Sequence, residues 1–318
     1  DMKIKYIIGA ISFAAMGFLS APKAIAQSLP VLETPVDARA AAMGGVSLTH
    51  TDRSYLYVNP ASIFQTDKKL TVSASGLLFP KMNMVEGRLL NGMATAGWKF
   101  HNRHVVYAGF RYQGGLTLPS VKDQFGTPGK KVSPFDWTAD LGYAFRFNDQ
   151  LSAFASGSFV QSYTGRTAMT ATFSLGANYF MNFNNSAAKY LNIAARVSDL
   201  GAPISFSSKD AFALPSRAEL TGDLGSAFSD NHELNLTLGG RYSFLASKPL
   251  YQANIGADYT IFKMVSLRAG YQYGSQSTSA WTGGIGVKFY NFKLDFAAIN
   301  GLGEFGTNRM MVSLSFDY

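Results

Sequence analysis

Apolar and polar residues alternate along most of the chain from Leu70 onward. Along 251–261, for example, Ile255 and Tyr259 fall on one face, and Asp258 falls on the other. A period of two over about ten residues is typical of a half-buried β-strand, and this length crosses a membrane when the strand is tilted. The pattern predicts strands at 69–79, 91–100, 104–113, 136–147, 150–162, 169–182, 190–199, 216–228, 232–245, 250–262, 264–275, 279–290, 292–299 and 308–318.

The connections between these segments differ in length. Long connections lie near 80–90, 114–135 and 200–215, while tight turns join most of the alternate pairs. A soluble sandwich also alternates, but its strands are usually only about 5–6 residues long. Long loops on one side and short turns on the other are typical of outer-membrane barrels, whose short side is periplasmic. We therefore predict an all-β fold, a transmembrane outer-membrane β-barrel of about fourteen antiparallel strands, with both termini in the periplasm.

The first residues have the composition of an export signal. Two lysines precede an apolar run at 6–19, and an Ala-Ile-Ala tripeptide at 24–26 supplies a small-residue cleavage site. The run is shorter than the roughly 20 residues that a spanning helix needs. We predict a signal peptide at 1–26 and a mature chain that starts at Gln27 and is exported to the outer membrane.

The segment 27–68 lacks the alternation, and we predict an N-terminal helical or plug segment before a barrel at 69–318. Asp37 can cap a short helix, which a Gly-Gly pair would end. In a structural role, Arg39 would pair with a lumen carboxylate and an Asn-Pro step would form a turn; ligand contact is the alternative. The plug motif, structural or ligand-binding, consists of Asp37, Arg39, Gly44, Gly45, Asn59 and Pro60.

Composition narrows the function. Charged residues make up 15%, aromatics 14%, and there is no cysteine. A membrane barrel fits this low charge, since alternate residues face lipid. The net charge of +8 includes no run of five basic residues, so we predict contact with membrane lipid and no nucleic-acid binding. No catalytic constellation is present, and His101 and His104 flank a turn without acidic partners. We predict a non-enzyme without cofactor or metal.

The last strand ends on an aromatic residue. Phe316 and Tyr318 belong to its apolar face, and this ending resembles the signal that barrel-insertion machinery reads. We predict that these two residues form a C-terminal assembly signal. The connection at 200–215 contains a candidate partner-binding loop with Phe206, Lys209 and Phe212.

Three motifs carry a family resemblance. The run Pro-Val-Asp-Ala-Arg-Ala-Ala-Ala-Met-Gly-Gly at 35–45, followed by Asn-Pro-Ala at 59–61, closely resembles the PorV/PorQ family of Bacteroidota, and 197–201 and 308–316 resemble its later segments. That family is related in fold to the FadL transporters. The resemblance implies a fourteen-stranded barrel with an N-terminal segment in or under the lumen. It also implies work in protein traffic with other outer-membrane proteins: a type IX secretion translocon, an attachment complex or a barrel-assembly complex.

Two functions remain open from the sequence. One is a protein-interaction component of an outer-membrane secretion or assembly machine. The other is a FadL-like diffusion transporter for hydrophobic small molecules, which should keep an apolar pocket beneath its loops. The inward faces of the predicted strands are mainly Ser, Thr, Gly, Asn and charged residues. This polarity favours the interaction role.

Overall fold

Fourteen antiparallel strands close into one barrel. The computed structural model describes residues 29–45, 48–49, 57–82, 85–119, 129–183, 188–207, 210–243, 250–275, 278–302 and 307–318. The barrel strands are β1 (Leu70–Leu78), β2 (Glu86–Phe100), β3 (His104–Thr117), β4 (Phe135–Arg146), β5 (Leu151–Tyr163), β6 (Thr167–Asn182), β7 (Tyr190–Gly201), β10 (Arg217–Ser229), β11 (His232–Ser243), β12 (Leu250–Ile261), β13 (Val265–Gly274), β14 (Ala280–Phe289), β15 (Phe292–Gly301) and β16 (Asn308–Asp317). A separate hairpin, β8 (Ile204–Ser207) and β9 (Asp210–Phe212), is inserted between β7 and β10. The predicted fold class is confirmed.

The barrel has two unlike ends. At the short-turn end, tight connections such as 101–103 and 290–291 join neighbouring strands. At the long-loop end lie the connection 118–134 and the one that contains the β8–β9 hairpin. Every barrel strand pairs with its neighbours in sequence, except that β10 pairs with β7 across the inserted hairpin and β16 pairs with β1. This topology is the one that the alternating loop lengths predicted.

Two strand boundaries differ from the sequence prediction by more than two residues. β2 begins at Glu86 instead of 91, and β3 continues to Thr117 instead of 113. The two strands pair through a bulge, where Gly87 and Gly115 both have positive φ values, near 87° and 100°. Glycine adopts this conformation without steric cost, so the polar, glycine-containing stretch looked like a loop although it extends the wall. The hairpin in 200–215 was also not predicted.

The outer surface of the barrel is apolar. Leu220, Leu238 and Ile255 point outward and are 58%, 67% and 58% exposed. Along each strand, the residues that alternate with these outward side chains face inward. In β12, for example, Asn254 and Asp258 face inward and are buried. An apolar exterior around a polar interior is the arrangement that a lipid bilayer requires of a spanning barrel. No helix in the described ranges is long and apolar enough to span a membrane.

A non-strand segment lies inside the barrel; its described residues, 29–45, 48–49 and 57–66, are called the lumen segment below. It contains a 3-10 helix (Pro30–Leu32), the helix α1 (Ala38–Ala42) and a second 3-10 helix (Pro60–Gln65). Leu29 packs with residues of the long-loop end, whereas the second 3-10 helix contacts the strand ends next to the short turns. The first described residue and Tyr318 therefore lie at opposite ends of the barrel. That both termini are periplasmic stays a prediction. Gln27 lies outside the described residues.

The seam between β1 and β16 closes the barrel. Leu70 and Tyr318 exchange backbone hydrogen bonds of 2.7 and 2.8 Å, and eight residue pairs continue the ladder from Thr71–Asp317 onward. The Asp317 carboxylate accepts a hydrogen bond from Thr71 and pairs with Lys293 at 2.6 Å. Closure satisfies backbone groups that would otherwise face lipid unpaired, at a cost of several kcal/mol each.

The seam leads to a prediction about assembly. Deleting residues 316–318 removes the last ladder pairs and the Asp317 carboxylate, so we expect the barrel not to close and to lose the heat-modifiable migration of a folded barrel in gel electrophoresis. Met310→Ala, an outward change on the same strand, should leave that migration intact. A deletion variant that still migrates as a protease-resistant folded barrel would show that closure does not depend on these residues.

Candidate functional site

Helix α1 is held tightly against the wall of the lumen. The Asp37 carboxylate accepts a hydrogen bond from the backbone of Ala40 at 2.8 Å and so caps the first turn. Gly44 has a φ of +89° and follows the end of the helix. Gly256 on β12 faces this end, and a methyl group there would lie 2.7 Å from the Cβ of Met43. Small residues on both surfaces therefore let the helix approach the strands closely.

Arg39 joins α1 to the wall through buried ion pairs. Its Nε donates to Asp258 of β12 at 2.9 Å, and the same carboxylate oxygen accepts from Arg268 of β13 at 2.9 Å. Arg268 also pairs with Asp295 of β15 at 2.6 Å. All four side chains are at most 3% exposed. One arginine of the lumen segment thus completes a charge network across β12, β13 and β15.

A second charge network lies on the neighbouring wall, on β7, β10 and β11. Glu219 of β10 accepts hydrogen bonds from Arg196 of β7 and from Arg241 of β11, the latter at 2.8 Å. Arg217 pairs with Asp199 at 3.2 Å and donates to the backbone oxygen of Leu32 at 3.0 Å. The second network therefore also binds the lumen segment, here through a carbonyl group.

Tyr57 ties the segment to a third pair of charges. Its hydroxyl donates to Asp140 at 2.5 Å, and the guanidinium of Arg111 lies 4.6 Å from its ring centre. Arg111 pairs with Asp140 at 2.7 Å. Burial raises the pKa of Tyr57 well above its usual value, so the hydroxyl keeps its proton and remains a donor.

The long-loop half of the lumen contains two apolar regions, which sequence reasoning missed. Two apolar clusters there contact the lumen segment on opposite walls. On one wall the inward residues are Leu77, Met93, Ala280, Ala297, Ile299 and Met311, packed against α1. On the other wall, Leu29, Val31, Leu32, Val160, Ala168, Ile204 and Leu214 form the second cluster. Residues such as Met93 share a strand face with polar residues, so the sequence pattern of a single strand does not show that they lie together in the lumen.

The Asn-Pro-Ala turn separates two cavities. Asn59 donates to Asn178 of β6 at 2.6 Å and caps the following 3-10 helix by accepting from Ala61 at 3.0 Å. On one side lies a cavity of about 60 Å³, called the central cavity below; its lining includes Tyr57, Pro60, the Arg111–Asp140 pair and the second charge network. On the other side, a cavity of about 390 Å³ at the short-turn end, the basal cavity, is lined by residues that include Ala61 and Asn178.

The predicted site residues do not all come together. Asp37, Arg39 and Gly44 meet the wall of β12–β16, whereas Asn59 and Pro60 lie on the β4–β6 side. Phe206 and Phe212 contact each other with ring centres 5.9 Å apart and pack on the second apolar cluster. Lys209 lies outside the described residues. Phe316 faces outward and stacks near Phe292, and Tyr318 is exposed at the seam.

No group of three or more metal-ligating side chains (His, Cys, Asp or Glu) with suitable geometry is found in the described ranges. The contacts described in the lumen are ion pairs, amide and hydroxyl hydrogen bonds, and apolar contacts.

Solved structures with a similar fold include two toluene transporters and a FadL homologue. The toluene transporter TbuX of Ralstonia pickettii has a TM-score of 0.61 and 14% identity, over 90% of this chain and 99% of that one. The toluene transporter TodX of Pseudomonas putida has a TM-score of 0.59 and 14% identity, over 93% and 99%. A FadL homologue from Pseudomonas aeruginosa has a TM-score of 0.51 and 12% identity, over 89% and 98%.

At such identities the likeness establishes the fold alone. It agrees with the FadL-related barrel that the sequence resemblance implied, and it gives no support to the narrower PorV/PorQ assignment. A scan against family models and a search of curated proteins gave no match.

The Arg39 network predicts a strong dependence of stability on one side chain. Arg39→Ala leaves Asp258 and Arg268 buried with incomplete pairing, and breaking such a pair costs about 3–5 kcal/mol. We expect the urea midpoint of unfolding to be clearly lower than that of the wild-type barrel. Unfolding is measured by tryptophan fluorescence of the refolded protein in detergent. Lys131→Ala breaks a pair with Glu86 whose side chains are 61% and 66% exposed, and such pairs contribute only about 0–1 kcal/mol. Equal midpoints for both variants would contradict a structural role of Arg39.

Proposed function

We propose that this barrel is an outer-membrane diffusion channel for small hydrophobic molecules. The observation that carries the proposal is the apolar lining of the long-loop half of the lumen, where inward residues such as Met93, Ile299 and Met311 replace the polar side chains that dominate elsewhere. These residues are packed against α1, so a hydrophobic solute entering from that end would meet them where it displaces the lumen segment, and apolar contact in place of water makes its transfer favourable.

The fold supports the same proposal. Two of the solved barrels with this architecture are described as toluene transporters, and both are covered almost completely by the match. As in a transporter with a regulated passage, a segment of the chain occupies the lumen and leaves cavities on both sides of its Asn59 turn. We therefore extend the class of solute, small uncharged hydrocarbons, to this chain.

The proposed location is the outer membrane with the short-turn end in the periplasm. The apolar exterior fits a bilayer, and tight turns are usual on the periplasmic side of such barrels. The long-loop end, with the β8–β9 hairpin and the apolar clusters, would then face the cell exterior and receive the solute.

A second candidate is a protein-interaction role in a secretion or assembly machine. The sequence motifs at 35–45 and 59–61 favour it, since they resemble a family that works in protein traffic. The small central cavity and its paired charges also favour it, because they leave little open space. Purification in mild detergent, with 203–214 replaced by a Gly/Ser linker in a parallel sample, tests this role: partners lost with the linker support it, and a barrel that purifies alone argues against it.

The transport proposal predicts uptake of a hydrocarbon probe. Cells that lack their own hydrocarbon channels should accumulate radiolabelled toluene faster when they produce this barrel. Met311→Gln places an amide in the apolar lining and should lower the rate, whereas Met310→Gln changes the neighbouring outward residue, which is 56% exposed, and should not. The amount of folded barrel in the outer membrane must be equal in all strains that produce it. Uptake no faster than in cells without the barrel would refute the proposal.

A further inference from the structure

The basal cavity is the larger of the two lumen cavities described above, and it opens at the short-turn end. Its mouth is bordered by the turn between β4 and β5, where the Asp149 side chain is 98% exposed. Ala61 and Phe64 of the second 3-10 helix line its inner end. A cavity of about 390 Å³ with an open mouth can receive a small molecule from that face of the barrel.

Three polar side chains form one row across the wall of this cavity. Arg146 of β4 pairs in register with Ser152 of β5, and Ser152 pairs with Asn178 of β6. All three line the cavity, and Ser152 and Asn178 are only 5% and 1% exposed. Opposite residues on antiparallel strands have Cβ atoms about 4.5–5.5 Å apart. Neighbouring members of the row can therefore act on one ligand group.

The buried members of this row offer hydrogen-bond donors. Asn59 accepts from the backbone of Ala61 through its Oδ1, so its Nδ2 donates to the Oδ1 of Asn178. Asn178 thus uses its acceptor and keeps its Nδ2. Neither this Nδ2 nor the Ser152 hydroxyl has a hydrogen-bond partner within the part of the chain that the structure describes. Both groups are therefore available as donors to a ligand in the cavity.

Arg146 adds a positive charge to the row. Its Nη2 donates to Asp149 at 2.7 Å, and its Nε donates to the backbone oxygen of Asn148 at 3.2 Å. The carboxylate of Asp149 is almost fully exposed, and water screens such surface pairs. A ligand anion deeper in the cavity can therefore share this guanidinium. A charged donor beside two neutral donors favours a carboxylate, which accepts several hydrogen bonds at once.

Aromatic side chains supply an apolar part of the lining. Phe64 lies on the second 3-10 helix, and Phe180 lies two residues from Asn178 on the same face of β6. Aromatic rings pack in offset or edge-to-face contact, so this part of the lining suits a flat apolar group. The cavity is also larger than the ~150 Å³ cavity that holds benzene in an engineered protein.

We infer that the basal cavity is a binding site for a small aromatic carboxylate that enters from the short-turn end. Arg146, Ser152 and Asn178 hold the carboxylate, and Phe64 and Phe180 contact the ring. The inference goes beyond the proposed hydrocarbon transport and does not require it, because the mouth of this cavity lies at the short-turn end and the solute of the transport proposal enters at the other end.

The first experiment measures binding to the purified barrel in detergent by isothermal titration calorimetry. Benzoate should bind roughly tenfold or more tightly than benzamide, its neutral analogue, because only benzoate forms charge-assisted bonds with the row. Arg146→Gln should weaken benzoate binding by a similar factor. Asn178→Asp should do so too, since it keeps the acceptor of Asn59 and replaces the donor by a second oxygen. Arg166→Gln changes an exposed arginine at the long-loop end and should bind benzoate like the wild type.

A second measurement reports on the charge inside the cavity. The chain has no cysteine, so Ser152→Cys introduces a single thiol. An anionic methanethiosulfonate reagent should label it faster than a cationic one of similar size, and benzoate should slow the labelling. Adding Arg146→Gln should remove the preference for the anionic reagent. The control Asn231→Cys lies in the exposed turn between β10 and β11 at the same end, and benzoate should not protect it.

The outcomes decide the inference in each case. Heat-modifiable migration in gel electrophoresis checks that every variant is folded. Absence of benzoate binding, equal affinities for benzoate and benzamide, or an affinity unchanged by Arg146→Gln in a folded barrel would overturn the carboxylate site. If a substituted barrel does not fold, the comparison of the two ligands on the wild-type barrel and the protection at position 152 decide. Toluene uptake is measured separately, so the transport proposal and this site can fail independently.

Discussion

Backbone hydrogen bonding in an apolar environment is the constraint on which this structure depends. A sheet in lipid has no water to satisfy its edge, so the first and last strands must pair, and here β1 and β16 do so along eight residue pairs. Closure divides the side chains of every strand into an outward set that is apolar and an inward set shielded from lipid. The inward set is then free to be polar, but the closed sheet also creates a lumen that has to be filled.

The lumen is filled by charges that neutralise one another and by a piece of the same chain. Asp258 lies between Arg39 and Arg268, and Glu219 accepts from Arg196 and Arg241, so each of these two carboxylates is shared by at least two guanidinium groups. Arginine suits this arrangement because its fixed fork of donors can serve several acceptors at once. The wall therefore holds the lumen segment by charge as well as by shape. Both sides of the contact supply charges that would be costly if left alone.

The sequence made the strands predictable and left the contacts across the lumen unpredictable, for a physical reason. Alternation with a period of two is a local property, so β12 and β16 could be recognised residue by residue. The partner of Arg39 depends on which strand faces α1, and this follows only from closure. The apolar lining was missed because Leu77, Met93 and Met311 come from three strands and occupy single inward positions among polar ones. The start of β2 at Glu86 was not predicted, because a bulge with two glycines keeps a polar stretch of the chain in the wall.

The strengths of the contacts determine how easily the lumen segment can move. The central cavity is small, about 60 Å³, and the lumen segment forms part of its lining, so a wider passage requires displacement of the segment. Arg39 binds α1 by a buried charge-assisted network, and Tyr57 is held by Asp140 and by Arg196. The Asn59 turn is held to the wall by a hydrogen bond between two neutral amides, which contributes about 0.5–1.5 kcal/mol. Charged donors act on either side of this turn: Arg196 donates to the carbonyl of Tyr57, and Lys99 donates to the carbonyl of Ile63 at 3.2 Å. Charge-assisted bonds are roughly twice as strong as neutral ones. The lumen segment is therefore fixed to the wall by charged groups at both ends, and its displacement would break several of these contacts at once.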